Sequence, residues 1–426
     1  MVSTMIKTKF FRFAEIVHLR LFGHSMSAEM RIFLGNLSWS FFGGVIAAGV
    51  MFIVNIIAGR WLGPEQYGGF QSLLSLASFF SALFLLGLHT SGIRYLADTS
   101  YSGVRREVFT SISVTVFLSA LFFSGAVFFF SDFFSKILSI PKFFLFLSIT
   151  LAFSMTMKEL FNAFLRSFQK IKLQSFLRLF ESFLVLGVFL LVFHFLFGQD
   201  HKTYFLAMLI GSTGFVVASL AFLKGIFSRV NFWLLGNIFR NYSFYVMLGS
   251  FVGSFIFIDR FLIGQFVGLY ELGIYSAYYT SSHLVVAEIA AVFMNVFWPA
   301  LIANSESKKL VLQKLFKIFV VSSPIWIGLV VASMSAFFVL FGKEYPWDIL
   351  LIGLFSVNSF LGALFSLYLA FINIDQIKKG IALNVIFFLG AIGTLVIFRD
   401  IPVYIFGQIV MQIMLIYLIH KIIMKG

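Results

Sequence analysis

The stretch Gly59-Arg60-Trp61-Leu62-Gly63-Pro64-Glu65-Gln66-Tyr67-Gly68 has a counterpart 205 positions later, Gly264-Gln265-Phe266-Val267-Gly268-Leu269-Tyr270-Glu271-Leu272-Gly273. Three glycines coincide, and the register continues without gaps over residues 36 to 75. Asn36 meets Asn241, Ser38 meets Ser243, Gly44 meets Gly249, Phe52 meets Phe257, Ile53 meets Ile258, and Phe70 meets the aromatic Tyr275. Apolar residues coincide easily in a greasy chain, but four glycines and two polar residues at one offset do not. The chain is read as a duplication.

Its composition says what was duplicated. Of 426 residues, 60% are apolar and 11% charged, against about 25% charged in a soluble domain. An ordinary soluble enzyme is excluded. So is a disordered chain, because 62 Phe and a mean hydropathy of +1.01 are far too apolar. Cysteine is absent, which removes disulfides, thiolate catalysis and Cys-ligated metals.

A bilayer core takes about 20 apolar residues per helix. Twelve such stretches are expected near 37–59, 69–92, 108–131, 142–163, 175–197, 203–223, 242–263, 273–297, 315–341, 347–371, 380–398 and 402–422. Runs such as Val116 to Phe130 do not alternate, so a transmembrane barrel is excluded. The repeat offset spans six helices, an even number, so both copies run in the same direction. The expected fold is an all-α integral membrane protein: two parallel-repeat six-helix bundles, 31–235 and 236–426, around a central cavity, after an N-terminal segment 1–30. Duplicated bundles of this kind are a carrier architecture, with the substrate held between halves that rock.

Lys and Arg concentrate in cytoplasmic loops. With the N-terminus inside, only Arg60, Lys136, Lys142, Lys202, Arg260, Lys343 and Arg399 fall outside, and the other 24 of 31 basic residues fall inside. Both termini are therefore expected in the cytoplasm, and the net charge of +14 is read as a topology signal rather than a nucleic-acid footprint. Trp39, Trp61, Trp298 and Trp347 fall at span ends, where indoles prefer to lie. Trp326, beside Pro324 in the ninth span, is read as packing or cavity lining. Residues 1–30 hold no cleavable signal, since Arg12 and Glu15 interrupt the apolar run. They are read either as a basic interfacial helix or as residues ahead of a true start at Met30.

Gly59 through Gly68, followed by a helix ending Leu86-Gly87-Leu88-His89-Thr90-Ser91-Gly92-Ile93-Arg94-Tyr95-Leu96, resembles the first two helices of the Wzx-type polysaccharide flippases. Asp259-Arg260-Phe261-Leu262-Ile263-Gly264 through Leu272-Gly273-Ile274-Tyr275 is similar to that family's seventh helix and the following loop. These flippases belong to the multidrug/oligosaccharidyl-lipid/polysaccharide exporter superfamily, and the resemblance covers essentially the whole chain. It implies a prokaryotic inner-membrane protein whose cargo is an oligosaccharide on a polyprenyl diphosphate. It also implies no cofactor beyond a coupled H+ or Na+, and a glycan polymerase or glycosyltransferases as partners. The glycine loop itself reads as a sharp extracellular turn, in which Gly68 lets two helix ends approach, and not as the site.

Such a cargo needs polar residues within spans, where they are expensive and face the interior. Ser281, Glu288 and Asn295 recur every seven residues, on one helical face. Glu288 is read as the only acidic residue near the middle of an expected span, and with Asp259 it is a candidate for ion coupling; a neutral or paired structural glutamate is the alternative. Tyr275, Tyr278, Tyr279 and Ser282 are read as a sugar-stacking or headgroup set. Asn36 stands with Ser40, Gly44 and Ala48 on a small-residue packing face. Asn36, Asn55, His89, Ser281 and Asn295 are cavity candidates, or else interhelical donors. Arg94, Arg60 and Arg260 are candidates for gripping phosphate, or lipid-headgroup anchors. Asp259 and Arg260, being adjacent, lie on different helix faces, and their pairing is not assumed. Arg178 and Glu181 are expected to pair at the start of the fifth span, and Lys158 and Glu159 to line an inner vestibule. No P-loop, HExxH or nucleophile elbow supports an enzyme or an ATP-driven pump. Residues 37–58 lack the acidic residue common in multidrug extruders, and the expected outer loops are too short for a glycan polymerase or ligase.

Overall fold

A computed structural model describes residues 28–97, 103–283, 286, 308–375 and 377–425, and among them every regular element is a helix. The first run, Ala28–Phe84, bends at Gly63 (φ 74°, ψ 167°) into two limbs, α1 (28–62) and α2 (64–84). Only glycine enters that backbone region freely, and Pro64 opens α2 at a position whose N–H has no helical partner to lose. The expected sharp turn is thus present.

The first half continues with α3 (Leu88–Ala97), α4 (Arg105–Phe129), the short α5 (Ser131–Leu138), α6 (Lys142–Ser167), α7 (Ile171–Val192) and α8 (His201–Leu223). A linker helix, α9 (Phe232–Ile238), leads to α10 (Phe244–Phe266), α11 (269–283), α12 (Lys308–Phe341), α13 (Ile349–Asp375), α14 (Ile377–Phe398) and α15 (Ile401–Lys425). Among the described residues nine runs are long and apolar enough to cross a bilayer. The bent first run holds two crossings, α10 adds one of 23 residues, and α11 begins the remaining expected span.

Lipid gives helices no hydrophobic reason to associate, so close packing and interhelical hydrogen bonds must hold a bundle. In the first half α1 lies on α7, where Gly43 meets Ser175, and Gly211 of α8 fits beside Val185 of α7. Hydroxyl pairs do the rest: Thr156 of α6 donates to Ser81 of α2 (3.1 Å), and Ser154 of α6 meets Ser212 of α8 (2.7 Å). The second half uses longer amides, with Asn358 of α13 donating to Gln408 of α15 at 2.9 Å. Outward surfaces are apolar, as a lipid face requires: Phe122, Val339 and Ile397 are among the most exposed side chains.

Several expectations change. Tyr275 and Tyr278 are fully buried and not part of a headgroup belt. Trp326 is also buried, stacked on Phe319 with ring centroids 5.3 Å apart, so it is packing. Trp347 is exposed at the start of α13, as an interfacial indole should be. Because α7 begins at Ile171, Glu181 falls near the middle of its helix and not at its start.

Candidate functional site

The two repeats meet at the glycines. A Cβ on Gly68 would lie 1.9 Å from the Leu269 carbonyl oxygen, and one on Gly273 would lie 1.9 Å from the Pro64 carbonyl oxygen. The offset of 205 carries Pro64 onto Leu269 and Gly68 onto Gly273. These are therefore one contact seen from each copy, the self-complementary arrangement that two-fold symmetry produces. The expected role of Gly68 in close approach holds, and its partner is the other repeat.

From this junction α2 and α10 run antiparallel along each other. Ser75 of α2 reaches into α10: its hydroxyl accepts from the Phe261 amide at 3.2 Å and donates to the Phe257 carbonyl, the pair that a helix would bond to each other. Farther from the glycines, Phe79 faces Phe251, and Ser91 of α3 bonds Ser243 at 2.6 Å.

Beside the Ser75 contact sit Asp259, buried, and Arg260, nearly so. Asp259 Oδ2 accepts from Tyr275 (3.2 Å) and Tyr404 (3.3 Å), and Oδ1 accepts from the Arg260 amide. The guanidinium lies 4.0 Å from Oδ1, donates to Gln71 of α2 at 3.4 Å, and stacks 4.5 Å from the Tyr279 ring centre. Adjacency alone leaves the pairing of these neighbours open; here the long arginine folds back over its own helix, held by Gln71 and Tyr279. A cavity of about 10 Å³ adjoins Asp259, Tyr404 and Gln408, against Phe387, Phe388 and Ala391 of α14. That is close to the smallest space able to hold one water molecule.

The copies have diverged here. Asn55 is the repeat equivalent of Arg260 and Val54 that of Asp259. In the first bundle Asn55 Oδ1 accepts from Tyr67 (3.0 Å) and Tyr204 (3.1 Å), while its Nδ2 donates to Met51 O at 2.8 Å. A neutral knot stands where the second bundle carries a charge pair.

The first bundle has its own ion pair elsewhere. Lys158 Nζ of α6 lies 2.8 Å from Glu181 Oε1 of α7. This replaces the expected Arg178–Glu181 pair, and Glu159 bonds instead to Arg166 (3.0 Å) and Asn162 (3.4 Å). Asn162 in turn accepts from Gln174 of α7 at 2.6 Å. The signal was present in the sequence, since Lys158 and Glu181 stand equally far from the Gln169–Lys170 turn and so at equal depth on antiparallel helices.

The remaining candidates are scattered. Ser281 is buried, its hydroxyl spent on Ala277 O and Tyr278 O. His89 meets Thr90 at 3.1 Å and leaves Nδ1 buried without a partner among the described residues. Arg94 and Arg60 are exposed at opposite ends of the α1–α3 hairpin. Asn36 lies in α1 with its side chain outside those described, and Glu288 and Asn295 lie outside the described residues.

A profile of the polysaccharide biosynthesis protein family matches residues 33–305. No curated protein sequence matches the chain. Among solved structures, an inward-facing multidrug resistance MATE family transporter of the MOP superfamily superposes with a TM-score of 0.63 at 15% identity, covering 92% of this chain and 98% of that one. A MOP superfamily transporter from Pyrococcus furiosus, reported with a binding pocket of reversed polarity, gives 0.58 at 15% identity, covering 91% and 94%. At such identity the likeness is one of fold.

Proposed function

The chain belongs to the polysaccharide biosynthesis protein family, and on that premise we propose that it is a flippase and not an enzyme. It moves an oligosaccharide carried on a polyprenyl diphosphate from the inner to the outer leaflet of a prokaryotic cytoplasmic membrane, for surface polysaccharide assembly. Both termini lie in the cytoplasm, in keeping with the distribution of basic residues, and the glycine junction lies outside. Glycosyltransferases would supply the cargo and a glycan polymerase would receive it.

One observation carries the mechanism: a buried charge pair, Asp259–Arg260, stands at the contact between the two bundles and is tied to Gln71 of the other half. Rocking the halves must break that tie, so the state of Asp259 and the position of the bundles are linked. Coupling to a gradient of H+ or Na+ follows if the ion competes with Arg260 for the carboxylate, with Glu288 as a second candidate. The test is complementation of a deletion strain. Rescue of surface polysaccharide, with loss of the lipid-linked glycan that accumulates in the cytoplasmic leaflet, is expected. No rescue and an unchanged lipid pool would refute the proposal.

A further inference from the structure

Among the described residues, the ion pairs Asp259–Arg260 and Lys158–Glu181 differ in kind. Asp259 has donors on both oxygens and Arg260 is held on three sides, their side chains 9% and 14% exposed. Lys158 and Glu181 have, among the described residues, only each other, and are 25% and 13% exposed. An ammonium offers three donors and a carboxylate about four acceptor positions, so most of the capacity of this pair is unspent.

Depth makes that unusual. Lys158 precedes the Ser167 end of α6 by nine residues and Glu181 follows the Ile171 start of α7 by ten. At 1.5 Å per residue both lie roughly 15 Å from those ends, about half the thickness of a bilayer core. Charges at mid-depth are held by partners or line a water-filled space. A quarter-exposed, singly bonded lysine fits the second condition.

Its surroundings favour an anion. Ser154, one turn along α6, meets Ser212 at 2.7 Å and Thr213 at 3.0 Å. Toward the other end Arg178 lies one turn before Glu181 on α7. Glu159, the other carboxylate of this region, is taken by Arg166 and Asn162. Lys158 holds Glu181, and Arg178, exposed one turn before it on α7, stands beside that pair as a second cation.

We propose that Lys158 is the ligand of an oxyanion site inside the first bundle, with Glu181 as its counterion when the site is empty. An arriving phosphate-type group takes the Lys158 ammonium, and Glu181 turns to Arg178, three residues before it on the same helix. Identifying that group with the diphosphate of a lipid-linked cargo rests on the flippase reading; oxyanion binding does not. An acidic sugar offers the same chemistry through its carboxylate.

The full-length protein in lipid nanodiscs is titrated with inorganic pyrophosphate and, separately, with glucuronate. Glu181→Gln removes the competing carboxylate and should tighten pyrophosphate binding about tenfold, while Lys158→Gln should weaken it at least tenfold and Lys158→Arg retain it. A purely structural pair predicts the opposite sign for Glu181→Gln, a lower melting temperature with no gain in affinity. Unchanged or weaker binding in Glu181→Gln overturns the site even if Lys158→Gln fails to fold. Stronger binding of glucuronate than of pyrophosphate, with the same variant pattern, assigns the site to an acidic sugar. Failed complementation alongside this binding pattern sinks the flippase reading and leaves the site. Rescue without the pattern does the reverse.

Discussion

Replacing Gly68 with alanine places a methyl group 1.9 Å from Leu269 O and 2.8 Å from Gly273 N, where ordinary contact begins near 3.4 Å. The obstructing atoms are backbone, so no rotamer change relieves the clash, and the two repeats must part by about 1.5 Å at this point. Overpacking of this kind costs about 1 to 3 kcal/mol. Alanine also gains up to about 1 kcal/mol of helix propensity over glycine, but α2 is helical whether or not the junction is closed, so that gain cancels between the two states. Only the contact term separates them. At about 1.4 kcal/mol per tenfold, the population parted at the glycines should rise about 5- to 140-fold. The chain has no cysteine, so a single Ser72→Cys provides a clean reporter one turn along α2, at a position 1% exposed. Its labelling by a membrane-impermeant maleimide added from outside should accelerate at least fivefold in Gly68→Ala. Gly273→Ala should do the same, because its contact is the symmetry mate. Gly125→Ala, with nothing within 4 Å, is the control. Equal labelling rates in all three backgrounds would refute the idea that this junction closes the outer face.

Asp259→Asn should destabilise by about 3 to 5 kcal/mol, because it strands a buried guanidinium, and the double variant with Arg260→Gln should recover most of the lost melting temperature. Tyr204→Phe removes one hydrogen bond from the Asn55 knot and should cost about 1 kcal/mol. Polysaccharide export measured in cells should survive that change, since Asn55 keeps its bonds to Tyr67 and Met51. Asp200 caps α8 by accepting from the Lys202 amide at 2.9 Å, so Asp200→Ala should cost about 1 kcal/mol of stability. Partial burial opposes its charge, but the Lys202 amide and ammonium and the neighbouring His201 prevail and hold its carboxyl below the usual carboxylate range. Its contribution is therefore full above the ordinary aspartate value and fades as pH falls through the lowered one. A melting curve against pH should show that loss in the parent chain and its absence in Asp200→Ala.

The sequence made the architecture legible because the bilayer imposes it: apolar length sets the spans, and the glycine register sets the duplication. Gly63 and Gly68 could be read as turn and close approach, since few other roles suit glycine at those places. The polar interior was less legible. Adjacent residues such as Asp259 and Arg260 point to different faces of an ideal helix, and what joins them is Gln71 and Tyr279, distant in sequence. Arg178 and Glu181 obey the local spacing rule, yet Lys158 wins because a helical hairpin fixes depth across two helices as firmly as a single helix fixes spacing along one. Hydroxyls such as those of Ser75 and Tyr204 give no warning at all, because their meaning depends wholly on what they face.

The serine inserted into α10 bears on how readily the halves can separate. While the bundles touch, Ser75 occupies both the Phe261 amide and the Phe257 carbonyl. When they part, that amide and carbonyl are spaced to bond each other, and the freed hydroxyl can turn back to a carbonyl of its own helix. No backbone group need face lipid unsatisfied in either arrangement, so this seam behaves like a zip: it holds while engaged and leaves nothing torn when drawn.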